Sequence, residues 1–307
     1  MYDVIIIGCG PAGMTAALYL LRANKKVLIL EKETIGGQIS SSPLVENYPG
    51  VSAISGAELS NNMYEQIDNL GAQIELEEVT KIKPGKVKKV ITEDNEYEAK
   101  SIIIATGNKF RLLGLPNEED LIGSGIHFCV SCDGAFYKDK TVAVIGGGNT
   151  AVINATYLSD LCKKVYLIQR MDKLTAELSL QDRLRQRKNV EIILSKEVKQ
   201  INGEDSLKSI ILNDDRELSL DGMFIAIGQV PQNDFVKDII NLDERNYIDS
   251  DDAKTNCDGI FVAGDCRKKK YRQLTTACND GTNAALDVIA YLENYWYLFK
   301  LTLFISI

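Results

Sequence analysis

Twice in this chain a short apolar run ends in a glycine-rich turn and passes into a stretch suited to a helix, and this repeat constrains the fold more than any other feature. The first run, Asp3-Val4-Ile5-Ile6-Ile7, leads into Gly8-Cys9-Gly10-Pro11-Ala12-Gly13, after which Met14 to Ala23 reads as helix. The second, Thr141-Val142-Ala143-Val144-Ile145, leads into Gly146-Gly147-Gly148-Asn149-Thr150-Ala151. Unbroken apolar runs of this length suit strands covered on both faces, as in a parallel sheet. In such a turn the first glycine permits the tight bend, the second lets the backbone approach a pyrophosphate, and the third lets helix and strand pack closely. The helix N-terminus then faces the phosphates.

The flanking residues agree with that reading. Glu31 ends the next apolar run, Lys26-Val27-Leu28-Ile29-Leu30, where a carboxylate can accept hydrogen bonds from a ribose. Each glycine turn has a late echo in which an apolar strand ends in glycine: Ile102 to Ala105-Thr106-Gly107, and Phe224 to Gly228. A third such strand, Gly259-Ile260-Phe261-Val262-Ala263-Gly264-Asp265, precedes a helical stretch from about Thr276 to Glu293. The expected fold is therefore α/β, with two three-layer Rossmann-type domains, the second inserted in the first. Turn formers at Gly114-Leu115-Pro116-Asn117 and Asn246-Tyr247 place the boundaries, giving 1–113 with 247–293 as one domain, 114–246 as the other, and 294–307 as an apolar C-terminal tail.

A length of 307 residues suits two domains of ordinary size, and 45% hydrophobic with 25% charged residues is a globular composition. A formal net charge of -8 without a basic stripe argues against nucleic acid as a partner. Met1-Tyr2-Asp3 runs directly into an apolar strand, with no basic segment of a secretory leader, and seven cysteines is an odd number. Both features point to a reducing cytoplasm, where a disulfide is catalytic.

Cys129-Val130-Ser131-Cys132-Asp133-Gly134 lies about a dozen residues before the second glycine turn. Two thiols at this spacing can close a small disulfide, and nucleotide sites on either side would supply its electrons. Zinc knuckles and core pairs use the same spacing. No second such pair exists and His127 is the only histidine, so no metal site is expected, and the pair reads as a redox dithiol with a structural pair as the alternative.

Taken in order, GCGPAG, Gly36-Gly37-Gln38, Asn47-Tyr48-Pro49-Gly50, ATG, CVSCDG, GGGNTA, AGD and YRQLTTA resemble the bacterial low-molecular-weight thioredoxin reductases over residues 1–293. The resemblance implies that 1–113 with 247–293 bind FAD. Its contacts would come from Gly8, Gly10, Pro11, Ala12, Gly13, Glu31, Gly37, Gln38, Asn47, Ala105, Thr106, Gly107, Gly264, Asp265, Arg272 and Gln273. It implies an NAD(P)H site at Gly146, Gly148, Asn149, Thr150, Ala151 and Arg170. Cys132 would face the flavin, Cys129 would attack the partner disulfide, and Asp133 would be the acid/base. The implied partner is a thioredoxin-like protein, and the implied assembly a homodimer.

One departure bears on the electron donor. NADPH-dependent members carry an HRRxxxR pattern after the second glycine turn, with arginines that hold the 2′-phosphate. Here the chain reads Gln169-Arg170-Met171-Asp172-Lys173-Leu174-Thr175. Two lost guanidinium contacts, at roughly 1.5–3 kcal/mol per hydrogen bond, would cost NADPH orders of magnitude in affinity. NADH, weakly bound NADPH or reduced ferredoxin are the donors left open. The other function kept in view is a redox sensor or a peroxide-forming NAD(P)H oxidase. His127 reads as a packing or surface residue, and Cys9, Cys162, Cys257, Cys266 and Cys278 as small buried hydrophobes. The tail Tyr295 to Ile305, at about a dozen residues, is shorter than the ~20 that a membrane-spanning helix needs and reads as packed on the core or on a partner, with an aromatic lid over the flavin or a membrane-surface contact as the alternatives.

Overall fold

A computed structural model describes residues 1–42 and 44–305, with side chains beyond residue 293 outside the description. The chain divides into two compact units, one of residues 1–109 and 230–307, the other of 110–229.

In the first unit, β1 (Tyr2–Ile7), α1 (Pro11–Arg22), β2 (Val27–Glu31), α2 (Gly56–Asp68) and β3 (Gln73–Leu76) precede the strands β4 (Val79–Lys83), β5 (Lys88–Thr92) and β6 (Glu96–Ile104). The sheet runs β3-β2-β1-β6-β5-β4, with a later strand beside β6. Its centre is parallel: Val4 pairs with Val27, and Ile7 with both Leu30 and Ile104. Every residue of Val4–Ile7 and of Val27–Glu31 is buried, as an apolar run without alternation demands.

The second unit follows the short strand β7 (Asn108–Phe110) and holds β8 (Ile126–His127), α3 (Val130–Asp133), β9 (Thr141–Ile145), α4 (Asn149–Leu161), β10 (Lys164–Gln169), α5 (Leu178–Arg185) and β11 (Val190–Leu194). Three antiparallel strands, β12 (Val198–Gly203), β13 (Leu207–Leu212) and β14 (Glu217–Ser219), form a small separate sheet before β15 (Gly222–Ile225). The main sheet is β11-β10-β9-β15-β8, parallel throughout. β16 (Gln229–Pro231) leads the chain back, and β17 (Ile260–Val262) joins the first sheet beside β6. The final helix α6 runs Leu274–Ile305, farther than the expected stretch ending at Glu293. The expected packing of 294–307 falls on side chains outside the described residues. Among the described residues no helix is long and apolar enough to cross a membrane.

The second crossing falls at 229/230, some way before the Asn246-Tyr247 turn favoured by the sequence. Residues 230–246 stay with the first unit for a physical reason. Val236 and Ile240 are buried in its core with Ile5, Ile102 and Ile260, and Asn233, itself fully buried, donates to the carbonyls of Asn246 and Cys266 at 2.7 and 2.8 Å.

Candidate active site

The two glycine turns are built alike. Gly8 and Gly146 both sit at positive φ, 108° and 136°, where a side chain is strained. A Cβ on Gly8 would run into the Ala105 carbonyl, and one on Gly146 would lie 2.5 Å from the Ala226 carbonyl. The late echoes seen in the sequence are thus the strand ends that close each turn from the side. By contrast, a Cβ on Gly10 would meet only the Gly36 carbonyl at 4.0 Å, and one on Gly148 only Thr175 Oγ1 at 3.8 Å. Each is the N-cap of its helix, and no side chain caps it. Both turns therefore present helix N-terminal N–H groups to open space, as the approach of a phosphate requires.

Around the first turn the carboxylate of Glu31 accepts from Cys9 N at 2.7 Å and Glu33 N at 2.9 Å. Two backbone bonds orient Glu31 and leave lone pairs for a ribose. Gln38 donates to the Asn108 carbonyl, and Asn47 lies 3.4 Å from Gln273 Oε1. The Arg272 guanidinium stacks 4.1 Å from the Tyr247 ring centre. Asp265 pairs with Lys269 at 3.1 Å, and its burial pushes the carboxyl up against the opposing pull of Lys269.

Three residues here were not recognised in the sequence. Asp280, on α6, pairs with Arg267 at 3.1 Å and Lys269 at 3.0 Å and accepts from Gly264 N at 3.1 Å, with all three side chains largely buried. The only sequence signal was alternation: in the run Arg267-Lys268-Lys269-Lys270 the first and third side chains turn inward, while Lys268 is 61% exposed.

In the second unit Cys129 and Cys132 form a disulfide across the short helix α3, with Cα atoms 5.3 Å apart and both residues half-buried. The N–H groups of Cys132 and Asp133 both bond the Cys129 carbonyl, at 3.2 and 3.0 Å, which holds the tight turn. Asp133 is buried, and its Oδ2 lies 3.3 Å from His127 Nδ1. His127 is therefore no surface residue: it is 4% exposed and also bonds Tyr137 Oη at 2.7 Å through Nε2. The sequence reading missed it because those partners come from outside its own strand. Of the other cysteines, Cys9, Cys162 and Cys266 are buried as expected. Cys257 and Cys278 are only partly so, since Cys257 lies in a loop and Cys278 on the first turns of α6.

At the second turn Gln169 ends β10 and is buried where a Cβ on Gly147 would stand. The following loop folds onto the turn, with Thr175 N and Ala176 N donating to the Gly147 carbonyl at 2.8 and 3.0 Å. Asn149 and Glu177 bond reciprocally, side chain to side chain at 3.0 Å and backbone to side chain at 2.9 Å. Asn149, Thr150, Arg170, Met171 and Lys173 are exposed, and Ala151 is buried.

The model of the family described as pyridine nucleotide-disulphide oxidoreductase matches residues 2–281. The thioredoxin reductase of Bacillus subtilis is 40% identical, with 95% of each chain covered. A 34.2 kDa protein in the rubredoxin operon of Clostridium pasteurianum is 44% identical over 94% of this chain and 97% of that one. The crystal structure of thioredoxin reductase from Streptococcus pyogenes superposes with a TM-score of 0.91 at 43% identity, covering 96% of this chain and 99% of that one. The chain belongs to the pyridine nucleotide-disulphide oxidoreductase family. It is a flavin-dependent oxidoreductase whose relatives include thioredoxin reductases, and the family binds FAD and uses NAD(P)H.

The residues present at the first glycine turn fit the family's cofactor. The first turn meets the requirements of an FAD pyrophosphate: open space at Gly10, an uncapped helix of 12 residues and an oriented acid at Glu31. Replacing Gly10 by valine fills that space. The expected result is protein that folds but retains little FAD, read from the flavin absorbance per chain after gel filtration.

Proposed function

We propose that this enzyme is a thioredoxin-disulfide reductase: electrons pass through FAD to the Cys129–Cys132 disulfide and on to the disulfide of a thioredoxin-like protein. The observation that carries the reading is the Cys129–Cys132 disulfide with a buried carboxylate, Asp133, directly beside it in sequence. Bound FAD supplies the two electrons that open this disulfide. In the proposed cycle the Cys129 thiolate attacks one sulfur of the partner disulfide, the partner's S–S bond breaks, and a mixed disulfide forms. Cys132 then attacks Cys129 Sγ and releases the reduced partner, closing the intramolecular disulfide. The dithiol gives up two protons and two electrons and the partner disulfide receives them, leaving as a dithiol, with Asp133 carrying protons at the sulfurs.

Within this proposal residues 1–109 and 230–293 hold FAD, and the second unit holds the dithiol and a nucleotide. The FAD contacts are those named from the resemblance, from Gly8 to Gln273. The five cysteines outside the pair are free thiols, which suits the cytoplasm, where disulfides are catalytic rather than structural. A homodimer is part of the same proposal, and light scattering of the FAD-loaded protein tests it.

For the donor we favour a pyridine nucleotide held at Gly146, Gly148, Asn149, Thr150, Ala151 and Arg170, with weak discrimination between NADH and NADPH. Met171 is an exposed apolar side chain, 42% accessible, and Thr175 is bonded to the glycine turn, so neither presents a cation to a 2′-phosphate. Anaerobic titration of the flavin with NADH, NADPH and reduced ferredoxin tests this. Bleaching by both nucleotides at comparable concentrations is expected, whereas bleaching by ferredoxin alone would assign a protein donor. Met171→Arg with Thr175→Arg is expected to tighten NADPH by roughly 2–5 kcal/mol and leave NADH nearly unchanged. A strong NADPH preference in the unmodified enzyme would refute the argument.

A further inference from the structure

We propose that His127 is a positioning residue for the proton chemistry of the dithiol: its imidazole bridges Tyr137 and Asp133, engaging one carboxylate oxygen of Asp133 and leaving the other for the exchanging proton. The inference rests on the reading that Cys129 and Cys132 are the redox pair.

The bridge is fixed from several sides. His127 ends β8, where it pairs with Phe224 of β15, and its ring centre lies 5.5 Å from the Phe224 ring. The Tyr137 ring crosses both, 5.4 Å from each, and occupies the space that any side chain at Gly222 would need. Nδ1 faces Asp133 Oδ2 at 3.3 Å and Nε2 faces Tyr137 Oη at 2.7 Å. The second oxygen, Asp133 Oδ1, is among the few buried side-chain oxygens or nitrogens of the described residues with no hydrogen-bond partner. A buried acceptor left unmatched is costly and calls for a use. Besides Asp133 and Tyr137, the charges bearing on this bridge are Lys140, whose Nζ lies 5.3 Å over the Tyr137 ring, and Asp221.

The protons can be assigned by requiring one hydrogen in each contact. Burial, then the charges of Asp133 and Asp221, push the Tyr137 phenol up to about 12, so it keeps its proton at neutral pH. With the phenol donating to Nε2, the imidazole is neutral and its Nδ1–H donates to Asp133 Oδ2. In the exchange one proton moves between a cysteine sulfur and Asp133 Oδ1. Oδ2 accepts from His127 before and after, so the carboxyl changes charge without losing its orientation.

Since His127 is the only histidine in the chain, imidazole-15N labelling reports this one ring. In the FAD-loaded protein at pH 7, long-range 1H–15N correlations are expected to show the neutral Nδ1–H tautomer, and Tyr137→Phe is expected to alter it. In parallel, protein reduced with dithiothreitol and desalted anaerobically is mixed with 5,5′-dithiobis(2-nitrobenzoic acid), which requires neither electron donor nor thioredoxin. His127→Phe is expected to slow this exchange about tenfold or more and to change the shape of its pH–rate profile. His127→Asn, whose amide N–H can replace Nδ1–H, is expected to recover part of the rate. If His127→Phe does not fold, Tyr137→Phe and His127→Asn carry the same comparison. An Nε2–H tautomer or an imidazolium at pH 7, or folded His127 and Tyr137 variants with wild-type rate and pH profile, would overturn the proposal. Absence of thioredoxin turnover in the unmodified enzyme would instead count against the reductase reading, because neither measurement here depends on it.

Discussion

Cys129→Ser and Cys132→Ser are each expected to abolish thioredoxin reduction, by roughly 10³-fold or more, while leaving FAD bound and the fold intact. The two variants should fail differently. With Cys132 replaced, no intramolecular disulfide can form, and a mixed disulfide made by Cys129 cannot be resolved. A partner that keeps a single active-site cysteine, supplied as its mixed disulfide with thionitrobenzoate, should then accumulate covalently on Cys129 as the thionitrobenzoate leaves. With Cys129 replaced, the remaining thiol lacks the partner-attacking role and no such adduct should form. Non-reducing electrophoresis after incubation with a thioredoxin separates the cases. Turnover near the unmodified level in either variant would remove the dithiol from the mechanism. Because both residues are half-buried, Cys132 on the four-residue α3 and Cys129 just before it, and the Cys129 carbonyl holds the turn by backbone bonds, a serine should cost the fold little.

The largest expected effect on stability lies elsewhere, at Asp280. Its side chain is 6% exposed and neutralises Arg267 and Lys269, themselves 13% and 10% exposed, while also accepting from the Gly264 backbone. Asp280→Ala removes the anion and leaves two poorly solvated cations short of counter-charge, Lys269 with Asp265 alone and Arg267 with Asp252 at 3.8 Å. Breaking a buried pair from one side typically costs about 3–5 kcal/mol, a large part of the 5–15 kcal/mol that holds an ordinary domain together. Urea unfolding of the FAD-loaded protein should therefore show a midpoint shifted well down. Asp280→Asn, which can still accept from Gly264 N–H but carries no charge, should fall between. Asp265 lies beside Lys269, so the alanine variant should also loosen FAD, seen as flavin fluorescence released at lower urea. A shift below about 1 kcal/mol would show that water reaches the two cations when the carboxylate is gone.

The parts of this site that could be read directly are those in which cause and consequence are neighbours in the chain. A buried strand, a glycine turn and a helix N-terminus follow one another within about a dozen residues, so Gly8 to Gly13 and Gly146 to Ala151 declare their geometry without reference to anything distant. The dithiol is likewise local, since a spacing of three on one helical turn brings Cys129 and Cys132 together. The tertiary structure alone decided the rest. Asp280 finds Arg267 and Lys269 because α6 returns to the strand end at Val262, and His127 finds Tyr137 because β8 is the edge of a sheet that α3 packs beside. Gln169 occupies the space beside Gly147 because β10 pairs with β9 in one register, and the second crossing lies at 229/230 because Val236 and Ile240 complete the first unit's core. Each of these is a contact between segments whose meeting is set by sheet order and register. Hydrophobic pattern and turn chemistry act over a few residues and fix each element separately, whereas the burial of charged and polar groups is paid for only by partners that the assembled layers deliver.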